Sequence, residues 1–349
     1  MKLILSNIPP VKMQNKDIRS YFEDLMNKAD ELMVAVGYIS EDGVAELKGI
    51  FENNRKSKLE LIIGMHGFDG FTYSQLNAAK YLDDYLRSNS LGDVKVVKSF
   101  RYHGKVYFFL RDDQPIGAII GSSNLSSVLC DQTLYETDLF IEENEFLKEI
   151  HSFICALSKT ACEPLLGSQQ KIIEAQNSRL DGYEDVEKVK IPELLKSTSF
   201  VIPINGKAES SNLNAFFGKG RRNKKGFVKP RPWYEIELIV HKEITSSADY
   251  PKPKPPEKSK SITVITDDGW KFECSIGGAN NKNFRSKKDL KILGRWLKGR
   301  LEDKGVLSSG ELVTDDVLCR YGRSDVELTA TTENDIWFLD FGTKSDIPS

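Results

Sequence analysis

The sequence predicts two fold classes in series: a layered α/β domain, then a mainly β domain resembling a small barrel. Three observations lead there. Through about residue 160, short apolar runs alternate with segments whose apolar residues recur at helical spacing, as in a sheet covered by helices. From about residue 196, apolar and polar residues alternate along each run, as in half-exposed strands. Between them, 161–195 keeps neither rhythm. Gln169-Gln170, Gln176-Asn177 and the charged run Asp181 to Lys190 read as a linker with one polar helix. The expected domains are therefore 1–160 and 196–349, and 349 residues are enough for two cores.

In chain order, Ile18, Tyr21, Phe22 and Leu25 give a helix over 14–27, with Asn15 as its cap. Glu31 to Ile39 is nearly continuous apolar sequence, suited to a strand buried on both faces. Ser40 caps a helix reaching about Asn53, and Leu59 to Gly64 is a second buried strand. His66 to Gly70 reads as a loop whose His66 either competes for the site or packs on Phe68; a helix covers 73–88, and Val94 to Val97 is a strand. A helix from Asn144 stacks Phe146, Leu147, Ile150, Phe153, Ile154 and Leu157 on one face. This alternation predicts a largely parallel sheet with its site at the carboxyl ends of the strands. The second half offers strands at 200–203, 234–240, 262–266, 270–276, 326–329 and 335–341. One helix, with Leu290, Leu293, Trp296, Leu297 and Leu301 on its apolar side, interrupts them. Pro251 to Pro256 is a stiff, extended insertion.

Composition narrows the function. Hydrophobic residues make up 40% and charged residues 29%, ordinary values for a globular chain. No apolar run approaches the length of a membrane span. Leu3-Ile-Leu5 is too short for a secretory signal, and Pro9-Pro10 follows it. Five scattered cysteines fit a reducing compartment without disulfides or a zinc site, so a cytoplasmic location is expected. The net charge of −2 conceals a +12 block at 201–300 between flanks of −7 each. Such a block suits a polyanion.

The chemistry concentrates at His103-Gly104-Lys105 and Gly121-Ser122-Ser123-Asn124. Val106 to Leu110 and Ile116 to Ile120 read as two strands joined by a tight turn. His103 and Lys105 share a face, and a hairpin returns the Gly-Ser-Ser-Asn end beside them. An imidazole, an ammonium, a hydroxyl and an amide on one spot suit a phosphate. His103 can attack phosphorus or give a proton near neutral pH. Lys105 holds phosphate oxygens, Ser122 and Asn124 donate to growing charge, and Glu136 orients the imidazole. Ser123 is expected to turn away, and no carboxylate cluster suggests Mg²⁺ or Zn²⁺.

These motifs, in this order and followed by Glu136, resemble the phospholipase D superfamily over about residues 1–160. Leu110 stands where that family usually has an acid, and the nearest acids are Asp112 and Asp113. The resemblance implies that two histidines act on one phosphorus, one as nucleophile through a phosphohistidine and one as proton donor. The chain has a single motif set. It is therefore expected to form a homodimer with both His103 side chains in one pocket, and to need no metal cofactor.

The basic block has two clusters. The first holds Lys219, Arg221, Arg222, Lys224 and Lys225, then Lys229, Arg231 and Trp233. The second holds Asn280, Asn281, Lys282, Asn283, Arg285, Lys287 and Lys288. Lys and Arg neutralise phosphates, while Arg and Asn also read base edges in the major groove. A nuclease of this superfamily followed by a basic barrel resembles the NgoFVII-type restriction endonucleases, relatives of the metal-independent enzyme BfiI. The second half is similar to the DNA-binding pseudobarrel of plant transcription factors, whose two arms clasp the major groove. Here the arms correspond to about 216–233 and 279–288. The resemblance implies cleavage of double-stranded DNA at a specific sequence. Some members work with an ATPase or helicase-like subunit. No phosphate-binding Gly-x-x-x-x-Gly-Lys-Ser/Thr loop occurs in this sequence, so ATP would enter through another chain. The competing readings are a phospholipid hydrolase and a DNA-binding protein with a silent nuclease fold.

Overall fold

The computed structural model describes residues 1–13, 16–53, 57–130, 134–173, 180, 183, 185–206, 212–214, 220–222, 224 and 226–343. The expected cap Asn15 lies outside them, as do Asp181, Gly182 and Glu184 of the charged run 181–190. The described residues form two compact units. One takes in 1–175, 219–231 and 308–310; the other takes in 176–218, 232–307 and 311–349.

The elements of the first unit, in chain order, are β1 (Lys2–Leu5), α1 (Ile18–Met26), β2 (Glu31–Val36), α2 (Glu41–Asn53), β3 (Lys58–Ile63), α3 (His66–Asp69) and α4 (Tyr73–Ser88). They continue with β4 (Gly92–Val97), β5 (Lys105–Arg111), β6 (Gln114–Gly121), α5 (Leu125–Leu129), β7 (Thr137–Ile141), α6 (Asn144–Ala161) and β8 (Cys162–Pro164). The sheet order is β1-β7-β6-β5-β2-β3-β4-β8. Only β2–β3 and β3–β4 pair in parallel. The expectation of a largely parallel sheet is corrected. Parallel helical crossovers join only β2, β3 and β4, whereas β5 and β6 form a hairpin and the edge strands add antiparallel. The hairpin turn is Asp112-Asp113, with φ of +51° and +58°. Asp tolerates that left-handed region better than most residues.

Sequence pattern explains the layers. Along β2, Leu32, Val34 and Val36 join one buried cluster while Met33 and Ala35 join another, so the strand is covered on both faces. The first cluster takes Phe22 and Leu25 from α1, Leu47 and Phe51 from α2, and Leu82 and Leu86 from α4. The second takes Leu147, Ile154 and Leu157 from α6. Phe146 and Phe153, expected on the same buried stripe, are exposed at the edge of that face. Asp17, not Asn15, caps α1 by accepting from the Ser20 N–H. Ser40 accepts from Gly43 N–H as expected, and Thr72 with Gln75 forms a reciprocal cap on α4.

The next elements are β9 (Glu187–Lys188) and β10 (Leu194–Pro203), followed by β11 (Arg221–Arg222) and β12 (Val228–Lys229), which belong to the first unit. The second unit continues with β13 (Leu238–Ile239), α7 (Lys242–Thr245), β14 (Ser259–Thr266), β15 (Trp270–Gly277), β16 (Asn283–Ser286), α8 (Lys291–Asp303), α9 (Asp315–Tyr321), β17 (Asp325–Thr331) and β18 (Ile336–Asp340). Its sheet runs β10-β17-β18-β14-β15-β16-β13, with β9 on β15, and curls into a half-barrel. Where a polar helix was expected, Glu187 and Lys188 pair with Lys271 and Trp270 as strand. Among the described residues, no helix is long and apolar enough to cross a membrane.

Candidate active site

The hairpin does what its sequence predicts. Val106 pairs with Ile120, which brings Gly121 and the following serines beside Lys105. β5 begins at Lys105, so His103 lies on the loop just before it and is exposed. Lys105 is only 5% exposed. Its Nζ donates to His103 Nε2 at 3.1 Å and to the His103 carbonyl at 2.8 Å. An ammonium can only donate, so in this contact Nε2 accepts with its single lone pair, and a phosphate must displace Nζ from it before Nε2 can attack. Burial lowers the Lys105 pKa, and the charge of Glu136 opposes that shift.

Among the described residues of this chain, Glu136 makes no hydrogen bond to His103. Its carboxylate accepts from Ser122 Oγ and, at 2.8 Å, from Ser127 Oγ. Ser122 in turn accepts from the Thr137 N–H at 2.9 Å. Asn124 ends β6's return and accepts from the Tyr38 N–H at 3.4 Å. Ser123 turns inward as expected: its N–H and Oγ donate to Asp138 at 3.1 and 2.7 Å. Asp138 is 3% exposed, and burial raises its pKa against the pull of those bonds. A Cβ at Gly121 would sit 2.2 Å from Asp138 Oδ1, so only glycine lets the two segments approach. Tyr107 closes the group from below, donating to the Ser123 carbonyl at 2.9 Å.

Asp138, Ser127 and Tyr38 were missed from sequence. Asp138 had one signal: on a strand it shares a face with Glu136. His66 is a core residue. Its Nε2 accepts from the Ile39 N–H at 3.1 Å, its Nδ1 reaches the Gly70 carbonyl at 2.7 Å, and burial lowers its pKa. It stacks on Phe71, not Phe68. Leu110 is buried at the position of the family's usual acid. Among the described residues, no group of three or more His, Cys, Asp and Glu side chains could hold a metal ion.

The basic residues divide between the units. Arg221 and Arg222 are exposed on β11, with Lys224 exposed beyond them and Lys229 and Arg231 half-buried, all in the first unit. Lys219 and Lys225 lie outside the described residues. Trp233 is a correction to the expected DNA surface. It is 1% exposed, donates its indole N–H to the Glu311 carbonyl at 2.8 Å, and packs under Lys298. An aromatic before a strand serves a core as readily as a base stack.

The second cluster stays together in the second unit. Asn280 and Asn281 form the turn after β15 with φ of +57° and +55°. Lys282 is exposed beside them, and Asn283, Arg285 and Lys287 follow at alternate positions, with Lys288 exposed next. Carboxylates face the cations: Glu237 lies 3.7 Å from Arg285, Glu273 lies 3.1 Å from Lys287, and Asp185 pairs with Lys288. The Lys287 and Lys288 pairs are exposed and contribute little, whereas Glu237 beside Arg285 is buried.

Two family models match the chain. Residues 16–174 match the NgoFVII restriction endonuclease N-terminal PLD domain, and residues 190–332 match the NgoFVII C-terminal B3-like DNA-binding domain. No curated protein matches. Among solved structures, NucT from Helicobacter pylori is 18% identical, over 47% of this chain and 98% of NucT, with a TM-score of 0.33. Nuc from Salmonella typhimurium, a phospholipase D family member, is 13% identical over 47% of this chain and 95% of its own, with a TM-score of 0.33. Phosphatidylserine synthase from Haemophilus influenzae Rd KW20 is 13% identical over 46% and 39%, with a TM-score of 0.35. TM-scores this low leave the assignment to the two family models. Both belong to one family and occur here in its order, so this chain is a member of the NgoFVII restriction endonuclease family, a phosphodiester-hydrolysing nuclease with a PLD domain followed by a B3-like DNA-binding domain.

Proposed function

We propose that the chain cuts double-stranded DNA at a specific sequence, without a metal ion, through a phosphohistidine on His103. The observation that carries this reading is the placement of His103 Nε2 3.1 Å from Nζ of the buried Lys105. Nε2 attacks phosphorus and forms the N–P bond. The P–O bond to the leaving deoxyribose oxygen breaks, and that oxygen takes a proton from a second imidazole. Water then attacks the phosphohistidine, giving its proton to the second imidazole and releasing His103. Lys105, Asn124 and Ser122 stabilise the oxygens of the crowded intermediate. The chain carries one motif set, so His103 of a second copy is the proton donor, and the enzyme works as a homodimer. Sequence is read by the second unit through Asn280, Asn281, Asn283 and Arg285, while Lys282, Lys287 and Lys288 hold phosphates. Arg221, Arg222 and Lys224 add phosphate contacts. ATP enters only if a separate ATPase or helicase-like subunit joins. The expected setting is the cytoplasm.

The test is plasmid cleavage in EDTA, with mapped ends, with and without ATP and the products of neighbouring genes. Wild-type protein is expected to cut at fixed positions and His103→Ala to bind without cutting. Cleavage by His103→Ala in EDTA would sink the mechanism. Hydrolysis of phosphatidylcholine but not DNA would move the chain to the lipid branch. Sequence-specific binding without nicking in every arm would mark a silent nuclease fold. An active species that light scattering shows to be a monomer would remove the shared pocket.

A further inference from the structure

We propose that Tyr38 is the positioning residue for His103, holding its imidazole in the attacking orientation; this rests on the nucleophilic role given to His103 above. The imidazole needs such a support. Among the described residues, its ring hydrogen-bonds only with Lys105, and one bond leaves the ring free to turn. Two neighbours remove that freedom. Gly37 forms a floor: a Cβ there would stand 2.8 Å from His103 Cδ2 and 3.2 Å from its Cα. Tyr38 forms a wall, meeting the imidazole edge-on with centroids 5.7 Å apart at 74°.

The wall is itself fixed at three points. Its backbone N–H donates to Asn124, so one residue touches both halves of the motif. Its hydroxyl donates to Asp69 Oδ2 at 2.6 Å, and the other oxygen of Asp69 accepts from Arg101. Arg101 is two residues before His103, so this anchor closes on the loop that carries the nucleophile. On the other side of Tyr38 stands His66, 5.2 Å away at 89° and pinned by backbone groups at both ring nitrogens. A side chain gripped at its backbone, ring and hydroxyl can hold a neighbour to the tolerance catalysis needs.

The chain has only four histidines, so ¹⁵N-histidine labelling reads the His103 ring directly in the full-length protein. The activity arm uses single-turnover plasmid cleavage and hydrolysis of bis(p-nitrophenyl) phosphate. Tyr38→Ala is expected to lower kcat about 100-fold with KM and DNA affinity unchanged, the cost of a small misplacement. The two ring-nitrogen signals of His103 should move toward each other as the ring loses its single orientation, while His66 keeps its pair. Tyr38→Phe keeps the wall and loses one hydrogen bond, so the His103 signals should stay and kcat fall about fivefold. Wild-type kcat in Tyr38→Ala, or unmoved His103 signals, overturns the inference. Where the alanine variant does not fold, Asp69→Asn takes its place and must match Tyr38→Phe; wild-type kcat in both overturns it equally. A wild-type protein that hydrolyses neither substrate fails the proposed function instead, and the labelled rings still decide whether Tyr38 sets the imidazole.

Discussion

Replacing Lys105 with methionine isolates electrostatics from packing. The methionine keeps the apolar stem, which is 5% exposed, and removes the charge together with its two hydrogen bonds to His103. It leaves no orphaned carboxylate, because Glu136 keeps its bonds from Ser122 and Ser127. Nζ lies 3.1 Å from the attacking nitrogen, so it sits within reach of the phosphoryl oxygens. A unit charge at about 4 Å and an effective dielectric of about 20 is worth about 4 kcal/mol. If that interaction belongs to the transition state alone, the rate falls about 1000-fold. Single-turnover plasmid cleavage in EDTA, with DNA affinity and thermal midpoint measured beside it, is the assay. A Lys105→Met rate within tenfold of wild type would refute the assignment. The pH profile adds a second reading. The charged lysine is the active form and burial lowers its pKa, so cleavage should decline on the alkaline side earlier than a free lysine would dictate. Glu136 holds that pKa up, so Glu136→Gln should move the alkaline limb to lower pH still.

Five further variants have expected outcomes. Asp138→Ala strands the buried N–H and hydroxyl of Ser123 and should cost about 3 kcal/mol in denaturant unfolding. The folded pKa of Asp138 is raised, so ionising it costs stability as pH rises through that value; Asp138→Asn should lack this component of the pH dependence. Arg285→Ala should cost about 1–3 kcal/mol of binding and relax specificity at one base pair, whereas Lys287→Ala should weaken all sequences alike and lower the salt slope by about 1, both read by competition binding. Trp233→Ala should lose about 3–5 kcal/mol of folding stability, and a selective loss of DNA binding without unfolding would restore Trp233 to the interface.

What was legible in the sequence followed short-range rules. The hairpin carrying His103, Lys105, Ser122 and Asn124 was readable because two strand-forming runs flank a two-residue turn, while the bulge that shifts the register by one residue at Phe109/Leu110 was not. The helix at 73–88 was readable to its ends, since Thr72 and Gln75 signal the start. Partnership across the fold was not. Glu136 reads as a partner for an imidazole, yet its serine partners are set by how β7 lies on β6. The mixed sheet was hidden because an apolar run does not state the direction of its neighbour. Trp233 carried the same letters a base-stacking residue would carry, and only its depth tells the difference. Tyr38 gave no signal, because its importance comes from a histidine 65 positions later in the chain.

Phe227 is 2% exposed within the nuclease core cluster, and β12 packs on α2. The cutting half therefore borrows a plug from a stretch encoded after the reading half has begun. Anyone excising it at residue 175, or grafting it onto a different recognition module at a single junction, would leave a phenylalanine-sized hole in the core cluster that α2 helps to build. A working chimera must transplant 219–231 and 308–310 as well, because the two units are interleaved along the sequence.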